Sequence, residues 1–269
     1  MDHQTLLVTD LDGTLWFEGE RCHPKSLDAF YAIQDRNVRI LVATGRRFRI
    51  VADSFAQFEW TVPCLLLNGS LCYDFKTNQT LFTVPFSEEA STSILEIFKD
   101  HGLSPTVYAD DSYVYAKKPT TSRGHIEAIG QDLIRTQNLN VYKQGLNVLN
   151  FCILGVPKLD LDNVVGKLSS TGLGNPSFYV DKLFGGYSLT VQPPEVSKWS
   201  GIMQWCETVD FRPSRIVVVG DAGNDLEMLT NADTAIVVDG AEQRLLDLAD
   251  HIIDGPNIGG WAKVSELLW

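Results

Sequence analysis

The sequence predicts an α/β protein, with a Rossmann-like core built on a parallel sheet and interrupted by an inserted α+β cap domain. Near the amino terminus, three short apolar runs alternate with two segments of helical periodicity, and each run ends at polar residues. Near the carboxyl terminus the same alternation returns. Such alternation is typical of a parallel sheet covered by helices. The stretch between contains shorter strands and separate helices, which is typical of an α+β module.

The first part of the core is predicted at residues 1–83. Apolar runs and helical periodicity predict three strands and two helices there, at 6–8, 38–42 and 64–67 and at 24–37 and 48–58, respectively. These strands are followed by Asp10, Thr44 and Asn68. Because ligands bind beyond the carboxyl ends of parallel strands, we expect the three side chains to share a site.

The cap domain is predicted at residues 84–191 and the second part of the core at 192–269. In the cap we expect three helices and five strands, at 87–101, 122–137 and 159–170 and at 106–109, 113–116, 148–154, 177–180 and 187–191, respectively. The second core part is predicted to contain strands at 215–221, 235–238 and 251–253, with helices after each.

Composition narrows the range of functions. The chain has 269 residues and a formal net charge of −12, which disfavours nonspecific binding to nucleic acid or to an anionic membrane. Its five cysteines are scattered and form no C-x-x-C pair, so reduced thiols and a cytoplasmic location are expected. No apolar run approaches the ~20 residues of a membrane helix. A monomer or weak homodimer is expected.

Two acidic clusters suggest a metal site. Asp10 and Asp12 follow the first strand, and Asp221 and Asp225 follow the strand that begins at Arg215. Crowded carboxylates repel one another unless a cation or a proton intervenes, and Mg²⁺ prefers such oxygen ligands. The alternative is that these residues are ordinary turn and helix-start residues.

The strand-end motifs together resemble those of the haloacid dehalogenase superfamily of phosphohydrolases, in the order that the family shows. The position of the insertion resembles the Cof-type subgroup, whose members carry an α+β cap of type IIB. The matching residues are Asp10-Leu11-Asp12-Gly13-Thr14, Thr44 in A-T-G-R, Asn68-Gly69, Lys198, and Asp221, Asn224 and Asp225 in G-D-A-G-N-D.

The resemblance implies a mechanism. Asp10 would attack phosphorus to form an aspartyl-phosphate, and Asp12 would protonate the leaving group and then activate water. Mg²⁺ would bind the Asp10 carboxylate, the Asp12 backbone carbonyl and Asp221, with Asp225 nearby. Lys198 would neutralise phosphoryl charge. The remaining substrate contacts would come from Thr44, Gly45, Arg46, Asn68, Gly69 and Asn224.

Each residue alone has a simpler interpretation. Thr44 could be a helix N-cap, Lys198 could be a solvated surface lysine, and Asn68-Gly69 is a common turn pair. The family usually has glycine after its lysine, whereas Trp199 follows here, and a bulky indole could displace Lys198.

The sequence leaves the substrate open. A small sugar phosphate or a related phosphorylated metabolite is the default expectation. Candidate cap contacts are Lys117, Lys118, Arg123, His125, Lys182 and Tyr187. Three other functions fit the motifs to some degree: a phosphosugar mutase, a phosphonate-cleaving enzyme, and a non-catalytic regulator that binds a phosphorylated ligand.

Overall fold

The structure is a computed structural model that describes residues 4–36 and 38–268. It divides into two compact units. The first, here called the core unit, contains the described residues within 1–46, 50–81 and 198–269. The second, here called the inserted unit, contains residues 47–49 and 82–197.

The strands of the described residues are, in chain order, β1 (Thr5–Thr9), β2 (Trp16–Phe17), β3 (Arg21–Cys22), β4 (Arg39–Ala43), β5 (Pro63–Leu66), β6 (Leu71–Asp74), β7 (Gln79–Thr83), β8 (Thr106–Ala109), β9 (Val114–Ala116), β10 (Leu133–Arg135), β11 (Val148–Val156), β12 (Asn175–Val180), β13 (Tyr187–Gln192), β14 (Arg215–Gly220), β15 (Thr234–Val238) and β16 (His251–Ile253).

The α-helices are α1 (Pro24–Gln34), α2 (Phe48–Gln57), α3 (Glu88–Asp100), α4 (Arg123–Ile129), α5 (Lys158–Thr171), α6 (Lys198–Thr208), α7 (Leu226–Asn231), α8 (Gln243–Leu246) and α9 (Val264–Leu267).

The large sheet of the core unit has the strand order β16-β15-β14-β1-β4-β5-β6-β7. The strands from β16 to β5 are parallel, and β6 pairs antiparallel with β5. β14 and β1, the two central strands of the parallel part, are almost wholly buried. Burial on both faces explains why they are continuous apolar runs, as is usual for parallel strands covered by helices. The predicted parallel core is therefore confirmed.

The inserted unit has its own sheet, in the order β10-β9-β8-β11-β13-β12. Most of its neighbours are antiparallel, and β10 pairs parallel with β9. One face packs on α3 and α5 through a cluster that includes Phe98, Phe151, Leu161 and Val164. β8 is buried at every position and β11 at most of its positions.

Several element predictions differ from the structure. The helix expected at 122–137 ends at Ile129, because Gly130 has a positive φ of 58° and the chain then pairs with β9 as β10. The helix expected at 24–37 ends at Gln34, and Asn37 lies outside the described residues. β6 and β7, which extend the core sheet, were not predicted. Among the described residues, no helix is long and apolar enough to cross a membrane.

Candidate active site

Asp10 and Asp221 lie side by side because their strands are neighbours. β1 and β14 pair in parallel, with Thr9 opposite Val219, and the Asp10 backbone N–H donates to the Val219 carbonyl at 3.0 Å. The two carboxylates therefore leave the sheet at the same edge. Both side chains are buried.

Lys198 lies in the first turn of α6 and contacts two carboxylates of the site, those of Asp10 and Asp225. Its Nζ donates to Asp10 Oδ1 at 2.7 Å and to Asp225 Oδ1 at 2.6 Å. The lysine is only 1% exposed, which excludes the surface interpretation. Trp199 does not keep Lys198 from the site, since the ammonium contacts both carboxylates with the indole in place.

The Asp225 carboxylate also orders the loop after β14. Its Oδ2 accepts hydrogen bonds from the backbone N–H groups of Asp221 and Ala222, both at 3.0 Å. A Cβ at Gly220 would lie 2.8 Å from the Asp225 side chain, so glycine is required for this close approach. Asp225 therefore both pairs with Lys198 and fixes the backbone that presents Asp221.

Asp221 is held from the other side by the turn after β1. The Thr14 hydroxyl donates to Asp221 Oδ1 at 3.0 Å. A Cβ at Gly13 would lie 2.5 Å from Asp221 Oδ2, and Gly13 has a φ of +78°. The glycine of the D-L-D-G-T motif is thus needed twice, for its backbone conformation and for the space it leaves to a carboxylate.

The charges and donors of this cluster suit a divalent cation. Carboxylate oxygens of Asp10, Asp221 and Asp225 lie within 4.8 Å of one another. Burial raises the pKa of Asp10 well above its usual range, and Lys198 offsets part of this effect. Burial alone would lower the pKa of Lys198, but Asp10 and Asp225 raise it, so the lysine is an ammonium ion. Lys198 pairs with Asp10 and Asp225, and Asp221 adds a third carboxyl group to the cluster, so its acidic groups outnumber its basic ones. Such oxygen donors suit Mg²⁺.

Thr44, Asn68 and Asn224 form a polar group at the ends of β4 and β5. The Asn68 N–H donates to the Thr44 carbonyl, and the Asn224 amide donates to Asn68 Oδ1, both at 3.0 Å. The Thr44 hydroxyl accepts the backbone N–H of Arg46 at 3.1 Å. A Cβ at Gly45 would lie 3.2 Å from Asn68 Oδ1. These predicted residues are therefore brought together, and Asn224 connects them to the acidic loop.

The Asp12 carboxylate has different partners from the Asp10 carboxylate. Arg46 Nε and Nη2 donate to the two Asp12 oxygens at 2.7 and 2.6 Å. Arg46 Nη1 pairs with Glu20 at 2.9 Å. Arg46, expected to contact substrate, is thus bound by two carboxylates in this structure.

The candidate cap residues lie in different surroundings within the inserted unit. His125 is buried between Tyr108 and Thr121, with each ring nitrogen 2.7 Å from a hydroxyl oxygen. Arg123 is exposed and pairs with Glu127 one helical turn away. Lys117, Lys118 and Lys182 are exposed and Tyr187 is half-buried. The structure assigns none of these side chains to a common site.

Two residues at the site were missed by sequence reasoning. Thr14 is part of the D-L-D-G-T motif, but the sequence analysis predicts no function for it. Its hydroxyl lies close in sequence to two carboxylates, which indicates a hydrogen-bond donor to an acidic group. Glu20 belongs to no motif, and its spacing from Asp12 and Arg46 in the sequence does not indicate that it contacts Arg46.

The fold and the site together define an α/β protein whose parallel core strands carry three carboxylates and a buried lysine at their carboxyl ends. Residues 7–264 match the model of the haloacid dehalogenase-like hydrolases, and the chain belongs to that family. The predicted resemblance is therefore confirmed.

Several relatives have named activities, and two are described here. The pyridoxal phosphate phosphatase of Escherichia coli K12 is 23% identical over 271 residues, covering 92% of each chain. A phosphoglycolate phosphatase of Methanoculleus marisnigri is 34% identical over 250 residues, covering 91% of this chain and 88% of the relative. The predicted enzyme class, a phosphatase of this family, is confirmed.

Solved structures share the whole fold. A haloacid dehalogenase-like hydrolase from Bacillus subtilis has a TM-score of 0.83 at 15% identity, covering 98% of this chain and 99% of the other. A subclass IIB sugar phosphatase has a TM-score of 0.78 at 16% identity, covering 98% and 99%. The predicted α/β fold with an inserted α+β module is confirmed.

Proposed function

We propose that this protein is a Mg²⁺-dependent phosphomonoester hydrolase that works through an aspartyl-phosphate intermediate on Asp10. The observation that supports the proposal best is the convergence of Asp10, Asp221, Asp225 and Lys198 at one edge of the core sheet.

Asp10 is the nucleophile in this proposal. One of its carboxylate oxygens forms a bond to phosphorus while the bond from phosphorus to the ester oxygen breaks, which leaves an alkoxide and an acyl phosphate. In the second step, a water oxygen attacks the same phosphorus and the Asp10 carboxylate is released with inorganic phosphate. Dividing one difficult hydrolysis into two displacements lowers the barrier of each.

Asp12 is the general acid and base. It donates a proton to the departing alkoxide in the first step and takes a proton from the attacking water in the second. Both of its oxygens accept from Arg46 in this structure. The oxygen that carries the transferred proton gives up its Arg46 contact, while the other oxygen keeps its contact and holds the carboxyl group in place. Asp12 therefore has a defined orientation before substrate binds.

The phosphoryl group is neutralised and held by three other side chains. Lys198 places an ammonium beside the nucleophile, where it reduces repulsion between the Asp10 carboxylate and an anionic ester. The Thr44 hydroxyl and the Asn224 amide donate to phosphoryl oxygens. Asn68 orients Asn224 through the contact between their amides.

Asp10, Asp221, Asp225 and the Asp12 backbone carbonyl would hold Mg²⁺. When bound there, the ion supplies positive charge that offsets the charge of the phosphoryl group during transfer. The negative balance of the buried cluster supports this assignment.

We further propose that residues 84–191 act as a cap domain that selects a small phosphorylated metabolite. A sugar phosphate is the default, because a sugar phosphatase shares the fold. The relatives named above act on pyridoxal phosphate and phosphoglycolate, so a screen of phosphomonoesters with Mg²⁺ should include all three classes.

Release of inorganic phosphate from para-nitrophenyl phosphate, with and without EDTA, tests the reaction. We expect turnover by the wild type that depends on Mg²⁺ and is abolished in Asp10→Asn. Asp239→Asn is the matched control, since Asp239 also follows a parallel strand but is exposed. Acid quenching with a phosphorus-labelled substrate should trap label on the wild type and on Asp239→Asn but not on Asp10→Asn.

The same experiments separate the other functions. Binding of phosphorylated ligands without turnover of any ester would indicate a regulator. Conversion of a hexose 1-phosphate to its isomer, without release of phosphate, would indicate a mutase. Inactivation by borohydride in the presence of a phosphonate would indicate a Schiff-base enzyme.

A further inference from the structure

We propose that Glu20 is a positioning residue for Asp12 and acts through Arg46. This inference rests on the proposed phosphatase reaction, in which Asp12 transfers protons. Glu20 would touch neither substrate nor metal, and its role would be to hold the guanidinium that holds Asp12.

Three segments of the core unit meet at Arg46. Its Nε and Nη2 bind Asp12 through both carboxylate oxygens, and its Nη1 binds Glu20 Oε1 at 2.9 Å. The Arg46 side chain is 12% exposed, whereas those of Asp12 and Glu20 are 36% and 32% exposed. The guanidinium is thus largely removed from water and engaged on two sides by carboxylates.

The chain reaches this contact through a specially shaped hairpin. β2 and β3 form a two-stranded ribbon directly after the D-L-D-G-T motif. Glu20 lies in its turn with a φ of +55°, and Gly19 precedes it with a φ of +69°. A left-handed conformation is strained at a non-glycine residue, so surrounding contacts must maintain it. The salt bridge to Arg46 is one such contact.

The base of the hairpin is rigid. Trp16 is fully buried and stacks near Trp60, with ring centroids 6.3 Å apart. Gly13 N–H donates to the Trp16 carbonyl at 2.9 Å, which ties the ribbon to the catalytic turn. The ribbon that carries Glu20 therefore starts from a residue that is bonded to the turn that carries Asp12.

A second carboxylate on the guanidinium has a mechanical consequence. With Asp12 as its only partner, the Arg46 fork could move together with that carboxylate. Glu20 binds Nη1, the third nitrogen of the Arg46 guanidinium. This contact fixes the plane of the guanidinium and therefore the plane in which it holds Asp12. Small errors in the placement of a proton donor reduce the rate most where the leaving group needs a proton.

The test compares esters with good and poor leaving groups. We would measure kcat and KM for para-nitrophenyl, phenyl and benzyl phosphate with Mg²⁺ present. For Glu20→Gln we expect kcat to fall about three- to tenfold on benzyl phosphate and less than about twofold on para-nitrophenyl phosphate, with KM unchanged. Arg46→Lys, which keeps the charge but loses the fork, should show the same dependence on the leaving group.

Glu18→Gln is the matched control. Glu18 lies on the same hairpin, but its side chain is 90% exposed and pairs with Arg21 instead. It should match the wild type on all three esters. In an Asp12→Asn background, Glu20→Gln should cause no further loss, because the residue it positions has gone.

An equal loss on all three esters, or no loss on any, overturns the role of Glu20. Failure of the phosphatase proposal is different: the wild type itself would release no phosphate from any ester, or Asp10→Asn would retain activity.

Discussion

Lys198 Nζ lies 2.7 Å from Asp10 Oδ1, and both side chains are buried at the edge of the core sheet. The same ammonium lies 2.6 Å from Asp225, so a residue of α6 links the ends of β1 and β14. Removing one partner of a buried ion pair leaves uncompensated charge, which costs far more than losing a surface pair. Lys198 therefore contributes to folding as well as to the proposed reaction.

Replacing Lys198 with Met should reduce both stability and activity. Without Mg²⁺, the free energy of unfolding should fall by about 3–5 kcal/mol, because Asp10 and Asp225 lose their ammonium partner. Added Mg²⁺ should restore part of this loss, and kcat on para-nitrophenyl phosphate should fall at least about a hundredfold. Urea denaturation and phosphate release measure the two effects.

Lys263→Met provides the comparison for that variant. Lys263 is 55% exposed and pairs with Glu266 on the surface, so its loss should cost less than about 1 kcal/mol. If Lys198→Met were as stable as Lys263→Met in EDTA, the buried ion pair would not have the energetic role assigned to it.

Gly13→Ala should be much more harmful than its size suggests. The added methyl group would lie 2.5 Å from Asp221 Oδ2, and the alanine would have to adopt the positive φ that Gly13 has. Displacing Asp221 should lower kcat on para-nitrophenyl phosphate at least about tenfold, since a misplaced catalytic group costs that much or more. Gly240→Ala separates the two causes: Gly240 has a φ of +81° but has space for a methyl group. It should lose about 1 kcal/mol of stability and keep its activity.

Much of this site was predictable because parallel strands bring their carboxyl ends together. Asp10, Thr44, Asn68 and Asp221 each follow an apolar run, and strand pairing alone makes them neighbours. Lys198 was predictable only from the family resemblance. Nothing in its local sequence distinguishes a buried lysine from a solvated one.

The remaining features depend on contacts that local patterns do not encode. Glu20 reaches Arg46 through a two-stranded ribbon whose strands have two residues each, too short for a periodic signal. The helix that was expected to continue past Ile129 ends there, because Gly130 has a positive φ and the residues that follow pair with β9. In both cases tertiary pairing decided the conformation.

Mg²⁺ should stabilise the wild type without any substrate. At a concentration one hundred times its dissociation constant, a ligand that binds only the folded state raises the free energy of unfolding by about 2.7 kcal/mol. Asp221→Asn should lose most of this gain, and Asp239→Asn should keep it. Thermal denaturation in EDTA and in Mg²⁺ gives both values. An equal shift in all three proteins would mean that the ion binds elsewhere.

His125 should make the inserted unit sensitive to mild acid. Burial, assisted by the charge of Arg47, lowers the pKa of His125 to about 4, from 6.5 for an exposed histidine. Between these values the unfolded chain binds the proton and the folded chain does not. The free energy of unfolding should therefore fall as the pH drops from 6.5 to 4, by about 3 kcal/mol in all.

Denaturation at a series of pH values, compared between the wild type and His125→Gln, isolates this contribution from that of the carboxylates. The variant should be about 1–3 kcal/mol less stable at pH 7, because Tyr108 and Thr121 lose a well-matched partner. Its deficit should shrink as the pH falls, since glutamine takes up no proton in this range. His251→Gln changes an exposed histidine and should follow the wild-type curve throughout. A deficit that stays constant from pH 7 to pH 4 would mean that His125 is protonated as readily in the folded protein as in the unfolded one.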